Sequence, residues 1–160
     1  MDKVGLTIGK FAPFHKGHEY LIKTALQEVD KLYVMVYETK VINIPISTRA
    51  KWIKQVFPQV EILYAENPPD QYGLDEQSVR IQTEYIKEKT KGIPITHFFS
   101  SEPYGKYAAQ AMKVEERTID PYRIHIPICA SRIRENVEEY KGYIADEIYQ
   151  EIKQDYPKRK

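Results

Sequence analysis

One cysteine, Cys129, stands among 160 residues, so no intramolecular disulfide is available and a reducing compartment suits the chain. Charge of one sign is not in excess either: 24 Lys and Arg face 23 Asp and Glu. That balance leaves no basic field to draw in nucleic acid and points to a small partner. No apolar stretch reaches a bilayer's width, and Met1-Asp2-Lys3 runs directly into a strand-like segment without a hydrophobic leader. A cytoplasmic protein with no membrane partner is therefore expected. Internal repeats and linker-like stretches are also missing. One domain over residues 1–160 is expected, long enough to bury a core without disulfides or metals.

Against these absences stands a regular alternation. Strand-like apolar runs fall at 4–8, 32–37, 60–65 and 96–100, with helical spacing of apolar residues at 17–29, 48–57, 75–89 and 104–112. Ser47 and Asp75 sit where helix caps belong, and Pro58 stops the second helix. The alternation predicts an α/β fold: a Rossmann-like parallel sheet with helices on both faces and its ligands at the carboxyl ends of the strands. A shorter strand fits 117–119. Beyond Asp120-Pro121 the pattern turns irregular until Ile144, Ile148 and Ile152 mark a last amphipathic helix. Trp52, near Ile53, Val56 and Phe57 on one helical face, reads as core. His97 and His125 read as structural, and the thirteen tyrosines as amphipathic packing residues.

The most informative stretch is Ile8-Gly9-Lys10-Phe11-Ala12-Pro13-Phe14-His15-Lys16-Gly17-His18. It places two of the four histidines in a strand-to-helix turn, where amide N–H groups and the positive end of the helix dipole face a ligand. Gly9 allows close backbone approach, Gly17 tightens the turn, and Pro13 fixes the chain between them. Zinc is a poorer reading, because His15 and His18 have no thiolate or carboxylate cluster at ligand spacing.

His15-Lys16-Gly17-His18 resembles the (H/T)xGH motif of the nucleotidylyltransferase superfamily. The wider Gly-Lys-Phe-x-Pro-Phe-His-x-Gly-His resembles nicotinamide-mononucleotide adenylyltransferases of archaeal and NadR type. A second segment, Asp120-Pro121-Tyr122-Arg123 followed by Ile128-Cys129-Ala130-Ser131-Arg132-Ile133-Arg134, resembles that family's Asp-Pro-x-Arg and Ile-Ser-x-Thr-x-Ile-Arg signature. Cys129 departs from it, standing where a serine is expected and offering a weaker hydrogen-bond partner. Lys10 stands where archaeal members often carry arginine and cannot make the bidentate fork. Pro45 to Ile53 looks like the helix with Arg-x-x-Trp, and Ser100-Ser101-Glu102-Pro103-Tyr104 like the loop beside the nucleotide ribose.

The resemblance implies the nucleotidylyltransferase fold and an enzyme that transfers AMP from ATP to nicotinamide mononucleotide, giving NAD and pyrophosphate. His15, His18, Lys10 and Arg134 take the catalytic roles. Ile8, Gly9, Phe11, Gly17, Ser101, Cys129 and Ser131 are expected at the nucleotide, and Tyr72 and Arg49 at the acceptor, Tyr72 as stacking partner for the cationic ring. Mg²⁺ is the expected cofactor, bridging phosphates through water, with no residue assigned as metal ligand. With no room before Val4 for a DNA-binding domain or after Lys160 for a kinase domain, a transcriptional role is not expected. An aminoacyl-tRNA synthetase is excluded by the short length and the absence of a Lys-Met-Ser-Lys-Ser loop. Two alternatives stay open: adenylyl or cytidylyl transfer to a flavin, pantetheine or polyol phosphate, and a nucleotide-binding sensor with little activity. A homo-oligomer also stays open.

Overall fold

Alternating side chains along the central strands explain how the sheet is covered on both sides. The computed structural model describes residues 2–70 and 73–155. In chain order its elements are β1 (Val4–Gly9), α1 (Lys16–Glu28), β2 (Lys31–Tyr37), α2 (Ile46–Val56), β3 (Glu61–Ala65), α3 (Glu76–Lys89), β4 (His97–Ser100), α4 (Tyr104–Met112) and β5 (Glu115–Thr118). Three helices follow, α5 (Ala130–Glu135), α6 (Val137–Tyr140) and α7 (Asp146–Asp155), with a 3₁₀ turn at Lys141–Tyr143 before the last. Leu32, Val34 and Val36 of β2 pack with Ile22 and Ala25 of α1, Trp52 and Ile53 of α2, and Ile148 and Ile152 of α7. The intervening Met35 and Tyr37 join Leu6, Ile86 of α3, and Ala108 and Ala109 of α4 on the opposite face. Period-two alternation thus feeds two cores at once.

The five strands lie in the order β3-β2-β1-β4-β5, with every pairing parallel. β1 is central: Gly9 stands level with Val36 of β2 and Thr7 with Phe99 of β4. The chain leaves β1 toward β2 on one side and returns to β4 on the other, so a crevice opens at the carboxyl end of β1. The histidine turn follows at that point. This is the doubly covered parallel sheet expected from the sequence.

Three local expectations need correction. Ser47 is not a cap, because α2 begins at Ile46 with Pro45 before it and no side-chain cap among the described residues. Proline pre-sets the entry dihedral at φ −57°, which moves the helix start upstream. The fifth strand begins at Glu115, earlier than its apolar residues suggest, since an edge strand needs only backbone pairing with β4. The stretch after residue 129 is more helical than its irregular pattern implied, held by the buried Ile133 and Ile144. Asp75, by contrast, caps α3, accepting from the Ser78 amide at 3.1 Å. Trp52 is fully buried, as expected, and its Nε1–H donates to Glu151 Oε2 at 2.7 Å, tying α2 to α7. Truncating a buried aromatic of this kind costs about 3–5 kcal/mol. Among the described residues no helix is long and apolar enough to cross a membrane.

Candidate active site

Between β1 and α1 the chain makes a turn with little freedom. Phe11 is buried in the left-handed region at φ 50°, and a Cβ on Gly9 would come within 3.1 Å of its ring. The Phe11 ring meets the His18 imidazole edge-on at 4.8 Å between centroids, and Phe14 lies parallel to His18 at 5.9 Å. Two apolar rings therefore fix the orientation of the histidine.

His15 is the N-cap of α1. Its Nδ1 accepts from the amides of Gly17, at 3.0 Å, and His18, at 3.3 Å. His18 reciprocates, its Nδ1 accepting from the His15 amide at 3.2 Å. The pair forms a capping box with imidazoles in place of the usual hydroxyl and carboxylate. The rings stack at 3.6 Å and 22°. Because both Nδ1 atoms accept, the neutral tautomer of each ring carries its proton on Nε2. Each histidine is thereby a donor at Nε2, and both line the same cavity. Burial, helped by the Arg123 charge, lowers the His15 pKa to about 4. Burial, His15 and Arg123 together push His18 well below its ordinary value. Both rings are neutral at physiological pH.

Gly17 is required by this arrangement. A Cβ there would meet His15 Cε1 at 2.8 Å and Nδ1 at 3.0 Å, so any side chain would displace the capping ring.

The facing wall comes from the carboxyl ends of β4 and β5 and from the start of α5. Ser101, Glu102, Ile119, Asp120, Arg123 and Cys129 join the histidines around a cavity of about 150 Å³. Asp120 organises this wall: its carboxylate accepts from the amides of Ile124 at 2.8 Å and of His125 and Ile126 at 3.1 Å. Arg123, itself at φ 52°, reaches Glu102 Oε1 at 3.3 Å across the mouth. Neither Asp120 nor Arg123 is among the site residues expected from the sequence; the Asp-Pro-x-Arg signature is the signal that points to them.

Of the other expected residues, Cys129 is the N-cap of α5 and lies 3.3 Å from the Ser131 hydroxyl, a contact that lowers the thiol's pKa with help from nearby arginines. Arg134 sits beside the turn and donates from Nη1 to the Ala12 carbonyl at 2.8 Å. Lys10 is half-buried, and burial together with Arg134 lowers its pKa. Ile8 and Gly9 end β1. Arg49 does not open into this cavity; it is 1% exposed and donates to backbone carbonyls. Tyr72 lies outside the described residues. His97 pairs with Glu115 at 2.9 Å, and His125 stacks on Tyr20, so both lie in packing contacts. Among the described residues no group of three or more His, Cys, Asp or Glu side chains is arranged to hold a metal ion.

The chain is 30% identical over 164 aligned positions to the trifunctional NAD biosynthesis/regulator protein NadR of Salmonella typhimurium, an alignment covering 91% of this chain and 39% of that protein. The chain thus spans about two fifths of the length of the curated NadR relatives it matches. A crystal structure of NadR in complex with NAD and AMP-PNP superposes with a TM-score of 0.61 at 20% identity, covering 90% of this chain and 45% of the other. A bifunctional NMN adenylyltransferase/ADP ribose pyrophosphatase from Francisella tularensis, complexed with AMP and a manganese ion, gives 0.60 at 22% identity, covering 91% and 43%. At these identities the superpositions establish a shared fold. The family model described as the citrate lyase ligase C-terminal domain matches residues 6–121, from β1 through the histidine turn to the Asp120 corner, and the chain belongs to that family.

Proposed function

We propose that this chain is an adenylyltransferase acting on ATP and nicotinamide mononucleotide. An oxygen of the acceptor phosphate forms a bond to the α-phosphorus of ATP, the bond from that phosphorus to the β-bridging oxygen breaks, and NAD and pyrophosphate result. A phosphate monoester with a second pKa of ~6 is already largely dianionic at neutral pH, so no general base is needed. Catalysis then consists of aligning two anions and absorbing charge in the transition state.

The observation that carries this reading is the reciprocal imidazole cap. It supplies two neutral, preorganised Nε2–H donors at a helix N-terminus without the proton ambiguity of ordinary histidines. A neutral donor suits an oxygen that gains charge and then departs. Lys10 and Arg134, on and against the same turn, add positive charge for the triphosphate, Ser101 offers a hydroxyl at the facing wall, and Ser131 offers a second beside Cys129 at the start of α5. Mg²⁺, when present, would neutralise phosphate charge; the nucleotide's own oxygens and water suit it as ligands, since the two carboxylates lining the cavity, Asp120 and Glu102, already accept from backbone amides and from Arg123. The acceptor ring takes Tyr72 as stacking partner. Kinship with NadR, whose name includes NAD biosynthesis, favours nicotinamide mononucleotide over other acceptors.

Pyrophosphate release from ATP and from CTP, measured with nicotinamide mononucleotide, flavin, pantetheine and polyol phosphates, tests the proposal. NAD formation from the first acceptor with ATP is expected. Turnover with another acceptor alone would reassign the specificity, and nucleotide binding without turnover on any would reduce the protein to a sensor.

A further inference from the structure

Arg49 is an electrostatic oddity. It lies at the fourth position of α2, near the helix end that repels cations, and it is among the most deeply buried side chains in the protein at 1% exposure. Its partners include carbonyls from three separate segments. Nη1 donates to Lys10 O at 2.5 Å and to Tyr37 O at 2.8 Å, and Nε donates to Ile44 O at 3.1 Å. These belong to the β1–α1 turn, the last residue of β2 and the connection before α2. Only a planar fork of donors reaches three acceptors in this way.

The consequence lies in the turn. Phe11 follows Lys10 in the left-handed region, which bulky residues rarely adopt. The carbonyl before it, on Lys10, is held by Arg49, and the carbonyl after it, on Ala12, is held by Arg134. The strained residue is therefore clamped by two guanidinium groups, one from α2 and one from α5. We propose that Arg49 is a positioning residue of the adenylyl transfer reaction: it braces the Lys10–Ala12 turn against the end of β2 and so sets where Lys10 meets the triphosphate. The role rests on the proposed function above. It differs from direct acceptor binding, because Nε and Nη1 of the guanidinium are engaged on the protein's own backbone.

Arg49→Lys keeps the charge but loses the fork, and is tested alone and in a Lys10→Ala background. The expected single-variant result, normalised to folded protein, is a kcat lowered about 10- to 100-fold with the KM for the acceptor within about twofold of wild type. In the Lys10→Ala background the same change should cost less than about threefold, because there is no ammonium left to position. The amide resonance of Phe11, whose peptide plane carries the Lys10 carbonyl, should shift in the ¹H–¹⁵N spectrum, and affinity for a non-hydrolysable ATP analogue should fall.

Three results overturn the proposal. A lowered melting temperature with kcat unchanged makes Arg49 merely structural. A raised acceptor KM at constant kcat makes it an acceptor ligand. An equal loss with and without Lys10 removes the coupling. Should the wild-type protein make no dinucleotide, the adenylyltransferase reading fails separately, and an unmoved Phe11 resonance with unchanged analogue affinity would still overturn the brace.

Discussion

Replacing His15 by asparagine separates the two jobs of its ring. In both residue types the third atom out from Cα can accept hydrogen bonds, so in His15→Asn the amide Oδ1 takes the place of Nδ1 against the amides of Gly17 and His18. Asparagine is also among the preferred N-caps. The variant keeps the cap but has no counterpart of the Nε2–H donor, and it no longer titrates. The pH dependence follows from the depressed folded-state pKa. Burial, with Arg123, holds His15 at about 4, whereas the unfolded chain takes up its proton at about 6.5. As pH falls, the unfolded state is protonated first, so the stability from the neutral ring is complete above ~6.5 and declines down to ~4. Linkage puts the full loss at about 3 kcal/mol, of which about 2 kcal/mol has gone by about pH 5. His18 is shifted in the same direction in both proteins, because burial is the first cause of its shift. Urea unfolding at about pH 7.5 and about pH 5 should show wild type losing about 2 kcal/mol more than His15→Asn. Near neutrality His15→Asn should match wild type in stability, while His15→Ala loses about 1 kcal/mol of cap. Turnover of His15→Asn should fall on the order of 10²–10³-fold despite the intact fold. Equal pH dependence in the two proteins, or near-wild-type turnover in the asparagine variant, would refute the tautomer argument.

Gly17→Ala forces the His15 ring off the amides it caps; turnover should drop on the order of 10²-fold, with a lower melting temperature by calorimetry. Arg134→Lys keeps charge but loses the planar contact with Ala12 O; kinetics with each substrate varied should show weaker ATP handling, and an effect confined to the acceptor would put Arg134 in the wrong half of the site. Cys129→Ser gives α5 an oxygen cap where the thiol makes no side-chain cap bond; stability should rise by about 0.5–1 kcal/mol and kcat should stay within about threefold. A tenfold loss of turnover would mean that the sulfur itself is needed.

The sequence alone determined whatever depends on neighbours in the chain. Strand and helix periods are local, so β1 through α4 and the two-faced sheet were legible, as was the strand-to-helix turn with its two histidines. The reciprocal cap is local as well: His15, Gly17 and His18 lie within one helical turn, and the spacing that makes a motif also makes the hydrogen bonds. Less was legible where an element depends on its partner. β5 carries exposed glutamates and forms because β4 offers its edge. α5 is too short for its period to stand out.

Only the tertiary structure decided which distant groups meet. Arg134 reaches a carbonyl 122 positions away, and Arg123 meets a glutamate 21 positions back across the cavity mouth. Arg49 is the sharpest case. Its place beside Trp52 in an Arg-x-x-Trp helix suggested an acceptor ligand, yet a buried guanidinium turns toward whichever acceptors surround it. Here those are the carbonyls of Lys10, Tyr37 and Ile44. Side-chain type states what an arginine can bond; packing of α2 against the ends of β1 and β2 states what it does bond, because burial removes water as the competing partner.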